Sequence, residues 1–80
     1  MMTGEAEAKL QEIVRAALNL PSDGDVTRAR QLAVETWDSM AHVSLMLAIE
    51  GEFGISIAVA DQIHLTSYAA IRQYLQERGL

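Results

Sequence analysis

In the run Trp37-Asp38-Ser39-Met40 and the His42 that follows, an acid, a hydroxyl and an imidazole fall within five residues. Nucleophilic catalysis is the first chemistry such a set suggests. A serine nucleophile needs a base to take its proton, a third group to orient that base, and an oxyanion hole. Ser39 and His42 stand three apart, so one helix face could bring them together. Asp38, however, adjoins the serine and would have to reach around it to orient the imidazole. No Gly-x-Ser-x-Gly elbow surrounds Ser39. Asp and Ser are also ordinary helix caps, which is the plainest use of the pair. No catalytic residue is assigned.

Metal chemistry finds even less support. The chain has no cysteine, so thiolate sites and disulfides are excluded. His42 and His64 lack acidic partners at ligand spacing. Asp23 and Asp25 offer too few ligands, wrongly spaced, for a calcium loop. His64 reads as a polar residue after a short helix. His42 falls on the inward edge of its helix, either as a boundary histidine with an ordinary hydrogen bond or at the mouth of the core.

Composition narrows the partners. The net charge is −5, and the six basic residues (Lys9, Arg15, Arg28, Arg30, Arg72, Arg78) are scattered, which argues against nucleic acid. An acidic surface suits basic patches on protein partners, although charge also serves solubility alone. No apolar run approaches the roughly 20 residues of a membrane span, and no basic segment precedes an apolar one as in a leader. The expectation is a monomeric cytoplasmic protein without membrane contact.

The elements that must position Ser39 are helical. Half the residues are hydrophobic, yet the β-branched runs of strands are missing. Eighty residues form one domain, spanning 1–80, of a size that buries only about 60% of its unfolded surface. Thr3 can cap a first helix, with Glu5 and Glu7 near its positive end. Leu10, Ile13, Val14, Ala17 and Leu18 then form one apolar stripe, and Pro21 forbids continuation past Leu18 or Asn19. Residues 19–36 make a long connection with a turn at Ser22–Asp25; Val26 and Leu32 are expected to pin it to the core.

A second helix should start at Asp38 or Ser39 and stop at Gly54, after Phe53. It shows two apolar stripes, Leu45, Met46, Ile49 and Phe53 on one side and Met40, Val43 and Leu47 on another. So wide an apolar arc means either a central helix or a face kept for something else. A turn or two follows between Val59 and His64. Thr66 or Ser67 then caps a last helix built on Tyr68, Ile71 and Leu75, with Arg78 near its negative end and Gly79 closing it. The fold class is all-α: a small four-helix bundle of three substantial helices, one short third helix and a long first loop.

This order of elements resembles the acyl carrier protein family over nearly the whole chain. The likeness is strongest where Asp38-Ser39-Met40, at a helix start, is followed by Val43, Leu47, Ala48, Ile49-Glu50 and Glu52-Phe53-Gly54-Ile55. Three residues recur by chance; their fixed distance from the second block makes the match specific. The resemblance implies that Ser39 carries a 4'-phosphopantetheine arm derived from coenzyme A, with Asp38 and Met40 as recognition neighbours. A phosphodiester at that point would meet the unpaired amides and partial positive charge of a helix start. The arm would hold an acyl or aminoacyl thioester. The implied partners are a phosphopantetheinyl transferase, a loading ligase or synthase, and a downstream acyltransferase.

The resemblance also sorts the stripes. Leu45, Met46, Ile49 and Phe53 correspond to the core side, whereas Met40, Val43, Ser44, Leu47, Glu50 and Gly51 correspond to the face that partner enzymes grip. The residues by themselves leave a second option, with Met40 and Val43 tucked under the long connection. Carriers of housekeeping fatty acid synthesis usually have a strongly acidic second helix. Here Ala41, Ser44 and Gly51 occupy positions often acidic, leaving Glu50 and Glu52. Met40 after the serine resembles D-alanyl carrier proteins, and Trp37 before the Asp-Ser pair resembles stand-alone carriers of specialised pathways. A dedicated carrier that docks more by apolar contact than by charge is therefore the expectation. From another class, the alternative is a helical interaction module of the same fold without an arm.

Overall fold

The structure, a computed structural model, describes residues 2–80. Four α-helices run in the order α1 (Gly4–Leu18), α2 (Ser39–Phe53), α3 (Val59–Gln62) and α4 (Tyr68–Glu77), and the described residues form no strand. The all-α four-helix expectation therefore holds. No helix among them is long and apolar enough to cross a membrane.

Local signals account for most of the helix ends. The Thr3 hydroxyl accepts from the Ala6 amide at 3.1 Å and opens α1. At its other end Asn19 takes the left-handed conformation (φ 53°) that asparagine tolerates, and Leu20 donates back to the Arg15 carbonyl at 2.9 Å. Gly54 ends α2 with φ 64°, a value that disfavours any side chain there. The Ser67 hydroxyl, rather than that of Thr66, caps α4 through the Ala70 amide at 3.1 Å.

The core lies between α1, α2 and α4, with α1 packed most extensively on α2. Leu10, Val14 and Leu18 face Leu45, Met46 and Ile49 in one cluster that Ile71, Leu75 and Tyr68 complete. Each such side chain withdrawn from water contributes roughly 1.5–3 kcal/mol. Phe53 packs at the edge of this cluster, half-buried. Tyr74, Ile57 and Leu65 are buried with it, although the apolar stripe of the last helix did not include the tyrosine.

The long connection is ordered by one 3₁₀ turn, Val26–Arg28, whose Val26 is buried as expected. Leu32 is not. It stands fully exposed, and Ala29 and Val34 pack in its place. The reason is a backbone turn: the amides of Ala33 and Val34 both return to the Arg30 carbonyl, at 3.0 and 2.9 Å, which throws the intervening side chains outward. Pairing of the Gln31 amide with the Thr66 carbonyl (2.8 Å) and of the Tyr68 amide with the Ala29 carbonyl (2.9 Å) fastens the connection to the start of α4.

Candidate functional site: the start of α2

Asp38 is the cap of α2. Its backbone is extended, and its side-chain oxygen accepts from the Ala41 amide at 2.8 Å while its carbonyl accepts from the His42 amide at 2.9 Å. Ser39 is therefore the first residue of the helix. The first amides of any helix have no acceptor within it, and Asp38 takes only that of Ala41. Those of Ser39 and Met40 are left at the positive end of the α2 dipole. Ser39 is exposed, and its hydroxyl makes no hydrogen bond among the described residues.

This setting fits a phosphodiester on Ser39. The hydroxyl is free to react, and two backbone donors sit beside it. The same setting does not fit a hydrolase. The Asp38 carboxylate serves the helix amide, and both imidazole nitrogens of His42 are engaged by other groups. No base therefore stands ready for the hydroxyl.

The imidazole of His42 is half-buried behind the site. The Trp37 indole N–H donates to its Nδ1 at 3.0 Å, and its Nε2 lies 2.8 Å from the Gln62 carbonyl oxygen. The two partners define the tautomer, because Nδ1 must be bare to accept and Nε2 must carry hydrogen to donate. His42 is thus a boundary histidine with hydrogen bonds on both sides, and it brings the end of α3 against the first turn of α2.

Outside the cap, α2 presents Met40, Val43 and Leu47 at 82%, 55% and 62% exposure. The long connection covers neither Met40 nor Val43, which removes that option. Ser39, Met40, Val43 and Ser44 line a mostly apolar depression of about 320 Å³. Gly51 is also exposed, and nothing would obstruct a side chain there, so close helix packing does not explain it. Glu50 differs from its neighbours. It is half-buried, and its carboxylate accepts from the Ile57 amide at 2.7 Å, closing the loop after α2. Glu52 lies 3.4 Å from Lys9. Both remaining acids of α2 are therefore occupied within the chain.

Two larger clefts of about 490 Å³ each lie between residues 27–32 and 66–69 and share no residue with the Ser39 surface. No group of three or more potential metal ligands occurs among the described residues. Sequence reasoning missed the exposed Val59, in α3, and Ile63, just after it, four residues apart in a segment too short to show a period. It also missed the task of Glu50, whose signal lies only in tertiary proximity.

The start of α2 thus offers an exposed, unengaged serine beside an exposed apolar strip, a surface suited to contact with other molecules. Comparison with known proteins agrees. The chain is 33% identical over 76 residues to the acyl carrier protein of Rickettsia canadensis (strain McKiel), covering 95% of this chain and 88% of that one. The acyl carrier protein of Rickettsia rickettsii (strain Iowa) matches to the same extent. No family model matches, and no solved structure does. The chain belongs to the acyl carrier protein family and is a carrier, not an enzyme.

Proposed function

We propose that the protein holds an acyl or aminoacyl group as a thioester on a 4'-phosphopantetheine arm attached to Ser39, and presents it to successive partners. The observation that supports this most is the exposed, unengaged Ser39 hydroxyl at the amide-rich start of α2. The arm, when bound, supplies the thiol that takes the cargo. The chain's own residues do the rest. Asp38 sets the helix start, Ser39 offers the oxygen, and Met40, Val43, Ser44 and Leu47 offer the surface. Gly51 extends that surface without a side chain, and Glu50 contributes to it chiefly by holding the loop after α2 in place. Such a carrier accelerates nothing itself; tethering raises the effective concentration of cargo at an enzyme that docks it.

The partners in this reading are a phosphopantetheinyl transferase, a ligase or synthase that loads the thiol, and an acyltransferase that removes the cargo, all in the cytoplasm. The stretch Ser39–Ile49, most of α2, contains no acid, Glu50 is engaged by the Ile57 amide, and Glu52 pairs with Lys9 at the surface. Docking should accordingly depend on apolar contact and respond little to salt, as befits a dedicated pathway and not housekeeping fatty acid synthesis.

The test is the intact mass of the purified chain before and after incubation with coenzyme A and a broad-specificity transferase, with Ser39→Ala alongside. One added arm on the wild type and none on the variant is the expected result. No addition to a folded, previously unmodified wild type with two different transferases would favour the arm-free interaction module.

A further inference from the structure

We infer that His42 is a positioning residue, joining the segment that presents Ser39 to the end of α3 through the two nitrogens of one neutral imidazole. α3 is poorly equipped to stay in place by packing. It has four residues, buries none of them and has no side-chain cap. Polar ties hold it instead. Asp61 receives the Tyr74 hydroxyl at 3.3 Å and lies 3.9 Å from the Arg78 guanidinium, both of which secure it to α4. The tie from α3 to α2 is the 2.8 Å bond between the Gln62 carbonyl and His42 Nε2.

The same ring holds Trp37 from its other side. Trp37 is two residues before Ser39 and only 2% exposed, so its indole N–H needs an acceptor inside the fold, and His42 Nδ1 supplies it at 3.0 Å. The two rings lie 29° from parallel with centroids 6.1 Å apart, an orientation that keeps the indole N–H directed at Nδ1. One tautomer and one orientation therefore satisfy both ends together. If α3 shifts, the imidazole must either lose the Gln62 carbonyl or turn away from the indole. Helix formation does not require this bridge, because Asp38 already caps α2 and receives the His42 amide. The bridge acts on Trp37, whose ring anchors the backbone that enters Asp38 and Ser39.

The coupling of Trp37 to α3 stands on these contacts alone; its consequence for arm installation rests on the carrier reading of Ser39. Three variants separate the two ends. His42→Asn places an amide oxygen near the position of Nδ1, His42→Gln places an amide nitrogen near that of Nε2, and His42→Leu offers neither. Hydrogen exchange of the Trp37 indole N–H and of the Gln62 and Leu65 amides would be read on the unmodified chain, with circular dichroism confirming the fold. In His42→Leu both sets should exchange about fivefold to tenfold faster, the effect of losing one net hydrogen bond. His42→Asn should return protection to the indole only, and His42→Gln to the Gln62 and Leu65 amides only. The rate of arm addition should fall about fivefold in His42→Leu.

Unchanged exchange at both places in His42→Leu would overturn the inference. Equal loss at both places in all three variants would overturn it as well, since packing alone would then explain His42. A wild type that never accepts an arm would count against the carrier reading and leave the exchange pattern to decide the bridge.

Discussion

The two sides of α2 use the same kinds of residue for opposite purposes. Inward, Leu45, Met46 and Ile49 are buried in the core, where α2 packs on α1. Outward, Met40, Val43 and Leu47 stand in solvent beside Ser39. Only the inward set stabilises the fold, because burial removes apolar surface from water and exposure does not. A small domain gains nothing in stability from the outward set, and an exposed apolar strip favours association with other molecules. The difference teaches that apolar character along a helix measures two demands added together, folding and contact, and that periodicity alone cannot divide them.

The comparison breaks most easily at its largest contrast. Leu45→Ala should cost about 2–5 kcal/mol by leaving a cavity in a closed core, enough to unfold much of the chain at moderate temperature. Leu47→Ala, on the other side, should change stability by no more than about 0.5 kcal/mol. It should instead slow arm addition roughly fivefold to tenfold, as truncation of a central contact does. Chemical denaturation and transferase kinetics on both variants measure the two effects. Similar losses of stability would erase the distinction between the faces.

Glu50 sharpens the border between them. Its carboxylate receives the Ile57 amide, so Glu50→Ala should cost roughly 1.5 kcal/mol in a denaturation curve. A loss of partner affinity at unchanged stability would instead assign the side chain to docking. Asp38→Ala removes the cap and should cost about 1 kcal/mol, most of it returned by Asp38→Asn. Equal stability of Asp38→Ala and wild type would show that the cap contributes nothing.

The smallest effect near neutral pH concerns the inner side alone. Burial raises the phenol pKa of both Tyr68 and Tyr74 above the ordinary value near 10. A raised pKa means that the folded state holds the proton more tightly than the unfolded chain. Stability from these two groups is thus complete below about pH 10 and is lost as pH rises through the folded values. Thermal midpoints should be flat with respect to the tyrosines up to about pH 9 and fall beyond it, less steeply in Tyr68→Phe. A Tyr68→Phe midpoint that falls just as steeply would remove Tyr68 from the effect.

The helix ends could be read in the residues alone, whereas the division of α2 into two faces came from the family resemblance. Thr3, Pro21, Gly54 and Ser67 mark helix ends through local chemistry, and local chemistry is visible in a single chain. The position of Ser39 followed from the same logic. Leu32 did not, because a connection has no period and the turn that exposes it depends on where Arg30 meets Ser67, thirty-seven residues on. His42 could be read as a boundary histidine with a hydrogen bond, but its partner across the fold and that of Glu50 were invisible for a related reason. Those partners, Gln62 and Ile57, are brought near by the path of the chain after α2. Tyr74 stands three residues after Ile71 on the buried stripe, but a polar tip hid an apolar body.

The most direct measurement is to fragment the modified protein and locate the arm among the five serines, Ser22, Ser39, Ser44, Ser56 and Ser67. Ser44 is the stringent control, since it is exposed and lines the same depression as Ser39 but lies within the helix, away from its unpaired amides. The arm on Ser39 alone is the predicted result. An arm on Ser44, or on any serine outside the start of α2, would contradict the assignment of that helix start as the attachment site.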